Sequence, residues 1–291
     1  MIYLPLRLGV TGASPRLSSG SLVDLPNLSV LVTGLEDWRE DQATDVGEER
    51  LLHTVQTILG AQVLRLKTPP RGPETYGSQS NWFDDAHTIG VPVAPFPRWL
   101  VCSGCRLLAP IVSVLFESKV EPYRPDRTRY VHNRTTSKRS PIALPARFVV
   151  ACVNGHLDDF PWLDFVHRGQ PGCPGPLELY EVGTSGEASD VEVNCRNCGR
   201  SRRMAEAFGI ENQRNLPACN ARRPQLRDHD PNGCKEEPMR AMLQGASNLW
   251  FPVIVSALSV PVGSITAGCH GGAAVSCLSR NWRIGPSALN R

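Results

Sequence analysis

The chain has 291 residues, 41% of them hydrophobic and 20% charged, with a formal net charge of +3. This balance is typical of a globular protein with a sizeable core and excludes a largely disordered chain. The mild charge does not by itself require a nucleic-acid partner. No apolar run is long enough for a transmembrane helix, so no membrane partner is expected.

Ten cysteines set the expected compartment. The first residues, MIYLPLRLGV, are too short and too interrupted for a signal peptide with its cleavage site. We therefore expect a cytoplasmic protein in a reducing environment, where closely spaced cysteines are more often metal ligands than disulfides.

Composition and hydrophobic periodicity predict an α+β fold of short antiparallel strands and helices around zinc-ribbon-like cysteine turns. Two acid-free ends flank an N-terminal α+β module and a zinc-binding domain. The four parts, in chain order, are residues 1–20, 21–98, 99–262 and 263–291.

In the N-terminal module, residues 21–35 predict two short strands around the Pro26-Asn27 turn. Residues 48–60 predict a helix, because apolar side chains recur at helical spacing until Gly60 ends the pattern.

In the zinc-binding domain, alternating apolar and polar residues predict strands, two of them paired as a hairpin. A short helix is expected at residues 201–209, and a helical start at residues 237–261. The expected strands lie within residues 96–105, 146–152, 177–182 and 190–195.

Two C-x-x-C pairs, Cys102–Cys105 and Cys195–Cys198, carry the strongest chemical signal. This spacing lets two thiolates on one tight turn reach the same tetrahedral zinc ion, and each site then needs two further ligands. We assign two zinc sites, with the ligand sets Cys102, Cys105, Cys152 and His156, and Cys195, Cys198, Cys219 and Cys234. Cys173 is an alternative to His156 as the fourth ligand of the first site.

Both predicted zinc ions are structural. A site closed by four protein ligands has no open position for a substrate, and several thiolates neutralise the ion and weaken it as a Lewis acid. The alternatives are a pair of redox dithiols or merely buried thiols. Neither pair is followed by the helix that a thioredoxin-type C-x-x-C pair precedes.

A second interpretation is catalytic. Asp158 and Asp159 lie close to His156, and this set can serve a metal-dependent nuclease or hydrolase. The simpler alternative is that one of the aspartates caps a short helix beginning near Pro161.

Basic residues concentrate in two places, between Lys119 and Arg139 and around the second C-x-x-C pair. Tyr123, Tyr130 and His132 are interleaved with the first cluster, and such aromatic side chains can stack on unpaired bases. A solvated surface is the alternative for both clusters. The candidate nucleic-acid contacts are Arg124, Arg127, Arg129, Arg134, Lys138, Arg139, Arg202 and Arg203.

Five ordered motifs between about residues 21 and 262 resemble the DrmB family of the bacterial DISARM anti-phage system. They are SLVDLPNLSVLVTGLEDW, PRWLVCSGC, PARFVVACVNGHLDDFPWLDFVHRG, VNCRNCG and GASNLWFPVIVSALSVP. The resemblance implies a truncated copy corresponding to the N-terminal part of a longer protein. It also implies a non-catalytic subunit that engages phage DNA with a helicase-like DrmA-type ATPase. The chain itself has no G-x-x-x-x-G-K-[ST] motif.

Overall fold

The computed structural model describes residues 6–8, 19–69, 90–120, 127–133, 140–170, 172–181, 187–234, 238–246, 253–257 and 280–284. In these residues strands dominate, with two α-helices and several short 3₁₀ segments. The structure is therefore mostly β, with fewer helices than the predicted α+β class implies. No described helix has the length and apolar character needed to cross a membrane.

The strands are β1 (Leu6–Leu8), β2 (Leu22–Asp24), β3 (Ser29–Val32), β4 (Val91–Pro95), β5 (Trp99–Cys102), β6 (Leu107–Pro110), β7 (Phe116–Lys119), β8 (Arg129–His132), β9 (Ile142–Pro145), β10 (Phe148–Ala151), β11 (Leu157–Asp159), β12 (Leu177–Glu181), β13 (Val191–Cys195), β14 (Ser201–Arg203), β15 (Arg222–Arg223), β16 (Asp228–His229), β17 (Arg240–Leu243), β18 (Val253–Ala257) and β19 (Arg280–Ile284). The helices are α1 (Glu49–Leu59) and α2 (Trp162–His167).

The N-terminal elements form a four-stranded antiparallel sheet in the order β1-β4-β3-β2. The two predicted strands around a turn are confirmed as β2 and β3, and the Ser29 hydroxyl donates to the Asp24 carboxylate at 2.6 Å across that turn. The predicted helix is confirmed as α1. It ends where the Gly60 N–H bonds the Gln56 carbonyl.

The largest sheet has eight strands in the order β14-β13-β12-β6-β5-β9-β8-β7. The β12–β13 hairpin predicted from alternation is confirmed, with Leu177 opposite Cys195. Each C-x-x-C pair lies in a tight turn, one between β5 and β6 and the other between β13 and β14.

The two faces of this sheet cover different cores, because successive side chains of a strand point to opposite faces. On β5, Val101 joins the core that contains Leu177 and Cys195. Its neighbour Cys102 joins the core that contains Val30 of the N-terminal sheet. One core is therefore shared across the boundary predicted between residues 98 and 99.

The first of these cores is covered by α2 and by a three-stranded sheet in the order β11-β10-β17. Aromatic side chains fill it, with Phe148, Trp162 and Phe165 packed around Phe160. The ring centroids of Phe160 and Trp162 are 4.6 Å apart. The strand predicted at residues 146–152 is confirmed as β10.

Two helix predictions are wrong. Residues 201–209 begin as strand β14 and continue as a 3₁₀ segment, Met204–Ala207. Residues 240–243 are good helix formers but pair along β10 as β17, since tertiary pairing overrides intrinsic propensity. The proposed atypical ends, residues 1–20 and 263–291, lie largely outside the described residues.

Candidate metal centres

Cysteine and histidine side chains meet in three groups, and within each group the ligand atoms lie within 4.8 Å of one another. All eight described cysteines belong to one of the groups. Group I is Cys102, Cys105 and His132; group II is His167, Cys173, Cys195 and Cys198; group III is Cys152, His156, Cys219 and Cys234.

The predicted first ligand set is not brought together. Cys102 lies in the core on one face of the eight-stranded sheet, whereas Cys152 lies in the core on the other face. His132 of β8 stands beside Cys105 instead, with 3.4 Å between Nδ1 and Sγ.

The predicted second set is also divided. Cys195 is 3.5 Å from Cys173, measured between the sulfur atoms, which places the left-over cysteine in group II. Cys219 lies instead against His156. Arg222, which follows shortly after Cys219 in the chain, pairs with Asp158 and so holds the segment around Cys219 against β11.

The two C-x-x-C turns share one backbone geometry. The Arg106 N–H bonds the Cys102 carbonyl and the Gly199 N–H bonds the Cys195 carbonyl, both at 2.9 Å. Arg106 and Gly199 have φ angles of +62° and +70°. Glycine tolerates this left-handed conformation, whereas an arginine is strained in it.

Each turn aims backbone N–H groups at its first sulfur. The amides of Gly104 and Cys105 face Cys102, and those of Asn197 and Cys198 face Cys195. Hydrogen bonds to a thiolate stabilise the charged form that binds a metal. Burial outweighs these hydrogen bonds and raises the pKa of both Cys102 and Cys195, so a bound cation is what would favour their thiolate forms.

His167 supplies the clearest sign that group II fits a metal ion. Its Nδ1 is 2.8 Å from the Leu163 carbonyl, whereas its Nε2 is buried without a hydrogen-bond partner. A buried unpaired nitrogen is costly. A bond from Nδ1–H to a backbone carbonyl leaves the Nε2 lone pair free for a metal, as in many zinc sites.

The thiols of group II are unequal. The Gly175 N–H and then the Asn197 amide lower the pKa of Cys173 to about 6, so this side chain is a thiolate at neutral pH. Burial raises the pKa of Cys195. A cation among these sulfur atoms would favour the ionised form of both.

Group III forms where the β10–β11 turn meets two later segments. The Nδ1 of His156 is 3.4 Å from the sulfur of Cys152 and 3.6 Å from that of Cys219. Its Nε2 faces Asp230 Oδ2 at 3.6 Å. A carboxylate behind the imidazole is the arrangement that orients a metal-binding histidine.

Burial, followed by smaller effects that include the thiols of Cys152 and Cys234, raises the pKa of Cys219 to about 12. Three thiolates cannot share one buried site unless a cation compensates their charge. With three thiols and one imidazole each, groups II and III both have the tetrahedral donor set of a structural zinc site.

The residues of the catalytic interpretation all have other partners. Asp158 contacts Arg222 and accepts from the Asn220 amide at 2.8 Å, and Asp159 accepts from Arg98 Nε at 2.7 Å. His156 belongs to group III. Helix α2 has no side-chain cap, so the helix-capping role predicted for the aspartates is wrong.

The two aspartates line a cavity of about 400 Å³ beside Trp99 and Asp164. Arginines contact both of these carboxylates, whereas a two-metal nuclease uses several carboxylates that are free to converge on its metal ions.

Only some of the predicted nucleic-acid contacts are available at the surface. Arg127 and Arg203 are exposed and Arg129 is half-buried. Tyr130 is buried in the core and His132 in group I, so neither can stack on a base. Four predicted contacts lie outside the described residues: Arg124, Arg134, Lys138 and Arg139.

Arg202 is the exception within the second cluster, because it is only 6% exposed. Its guanidinium lies 4.4 Å from the centre of the Phe165 ring, donates to the Phe165 carbonyl and pairs with Glu206. Arg202 therefore stabilises the fold, and its buried side chain is not presented at the surface where a nucleic acid would bind.

Comparison with known proteins assigns the family. The chain belongs to the family described as a domain of unknown function, DUF8724, which matches residues 16–251. It is similar to the DISARM protein DrmB of Bacillus paralicheniformis, with 32% identity over 172 residues. The predicted resemblance to DrmB is thus confirmed. The aligned region covers 59% of this chain and 29% of that relative.

Proposed function

We propose that the chain is a non-catalytic, zinc-binding component of a DISARM-type anti-phage defence complex. In the cytoplasm it would engage phage DNA together with a helicase-like DrmA-type ATPase. The similarity to a DISARM protein carries this proposal. The Cys/His groups support its metal-binding part, since groups II and III each offer four ligands typical of structural zinc.

The proposed division of labour follows from the sequence. The chain has no phosphate-binding loop, so the energy for moving along DNA would come from the partner. Arg127 and Arg203 are the described residues of the predicted set that are free to contact backbone phosphates. The other basic residues predicted between 124 and 139 are further candidates for phosphate contacts.

Co-purification with a DrmA-type ATPase, followed by DNA binding with and without this chain, tests the proposal. We expect a stable complex that retains DNA at higher salt than the ATPase alone. Absence of a complex, or identical DNA binding by the ATPase alone, would contradict the proposed role.

The nuclease interpretation is tested in the same preparation. The Asp158→Asn plus Asp159→Asn variant removes both carboxylate charges while preserving side-chain shape. We expect no DNA cleavage by either protein in Mg²⁺. Cleavage that disappears in a folded double variant would replace the proposed function with a catalytic one.

A further inference from the structure

Group I differs from the other two groups in its number of ligands. Groups II and III contain three cysteines and one histidine each, whereas group I contains two cysteines and one histidine. The remaining described cysteines all belong to groups II and III. Within the described part of the chain, group I therefore has no fourth Cys or His ligand.

The three side chains of group I are positioned by the sheet. Cys102 is fully buried at the end of β5, and two backbone N–H groups point at its sulfur. His132 ends β8, where its N–H bonds the Pro141 carbonyl at 2.9 Å and its ring meets the edge of Phe116. Such fixed donors lose little conformational entropy when they bind an ion.

Glu178 carries a carboxylate on the same face of the sheet as Cys102, but this carboxylate contacts other side chains. Glu178 pairs in register with Leu107, close to the first C-x-x-C turn. It contacts Arg196 and accepts a hydrogen bond from the Tyr180 hydroxyl at 2.9 Å. Glu178 is therefore held by these two side chains and does not belong to group I.

We propose that Cys102, Cys105 and His132 bind a third divalent metal ion and leave one coordination position for water or an exogenous donor. Two cysteines, one histidine and a water form a known donor set of catalytic zinc, whereas structural sites are closed by four protein ligands.

The charge of the site favours this role. Two thiolates make a zinc complex neutral overall, whereas three thiolates leave a net negative charge in groups II and III. The ion of group I is consequently the stronger Lewis acid and the better acceptor of a fourth ligand. This site goes beyond the proposed function, which needs only the two closed groups.

Cobalt substitution of the full chain tests the proposal, because the visible absorption of Co²⁺ responds to its ligands. We expect three metal ions per chain. Titration with imidazole should produce a saturable spectral change whose amplitude corresponds to one of the three ions. His132→Ala should reduce the count from three to two and abolish the imidazole response. His53→Ala, an exposed histidine of α1, is the matched control and should change neither.

The wild-type measurements decide the question even if the His132 variant does not fold. Two ions per chain would show that group I binds no metal, and three ions without an imidazole response would show a closed site. A response that persists in a folded His132→Ala protein would also overturn the proposal. Loss of DNA or partner binding alone would contradict the proposed function and leave the three-ion result intact.

Discussion

Arg202 and Arg203 are neighbours on β14 with opposite surroundings. The alternation of the strand turns Arg202 into the core beside Phe165 and leaves Arg203 in solvent. Sequence reasoning treated both as basic surface residues, because charge alone does not show which face of a strand a residue occupies.

Truncation of these two residues should therefore have different effects on stability. We expect Arg202→Ala to lower the free energy of unfolding by about 2–3 kcal/mol, since it removes a cation–π contact and buried hydrogen bonds. Arg203→Ala should leave stability nearly unchanged. Urea denaturation of both variants measures the difference, and equal midpoints would contradict the assigned roles.

The strained Arg106 offers a second test at this scale. We expect Arg106→Gly to raise stability by about 1 kcal/mol, because glycine adopts the left-handed conformation without the steric cost of a side chain. The reverse change in the matching turn, Gly199→Arg, should lower it, although a Cβ there meets no neighbour. Thermal unfolding of the two variants should thus shift in opposite directions.

At the scale of elements, the Cys/His groups connect segments that are distant in the sequence. Group III joins the β10–β11 turn to Cys219 and Cys234, and group II joins α2 to the β13–β14 turn. Helix α1 has its own small apolar cluster around Leu51 and Val55. Metal binding should therefore stabilise these regions unequally.

Chelation should loosen the metal-linked elements first. We expect amide hydrogens of the β13–β14 and β10–β11 turns to exchange faster after zinc removal, because the ligands lose the ion that connects them. Amides of α1 serve as the internal control and should change little. Uniform acceleration across the chain would indicate that the metal supports the whole fold equally.

The raised pKa of Cys219 predicts a pH effect in the metal-free protein. An unfolded thiol ionises near pH 8.5, whereas the buried Cys219 ionises at about 12. Its contribution to stability is complete below about pH 8.5 and is lost as the pH rises toward 12. The urea midpoint of the chelated protein should fall between pH 8 and pH 10.5, and less steeply in Cys219→Ser.

Across the whole molecule, the sequence was sufficient to predict several local features correctly. The β12–β13 hairpin, α1 and the two C-x-x-C turns depend on residues close in the chain, and all were found. The partners of each cysteine depend on strand order and on which face of the sheet a residue occupies. His132 joins Cys105 only because β9 lies between β5 and β8, an arrangement that no local pattern encodes.

The DNA-binding part of the proposed function has a whole-molecule test. Each phosphate contact that is lost should weaken binding equally for all DNA sequences. It should also reduce the slope of log affinity against log salt concentration by roughly one. We expect this behaviour for Arg127→Ala and Arg203→Ala in the complex with the ATPase. Arg202→Lys, which keeps the buried charge, is the control. Unchanged binding by both surface variants would exclude these residues as contacts.

The core shared across residues 98 and 99 has a practical consequence for dissecting the protein. A fragment that stops at residue 98 would expose Val30 and Val93 to water, and the complementary fragment would expose Leu100 and Ala109. Uncovered apolar patches of this kind promote aggregation. Deletion mapping would then report insolubility rather than lost function, so roles within this chain are better assigned by single substitutions in the intact polypeptide.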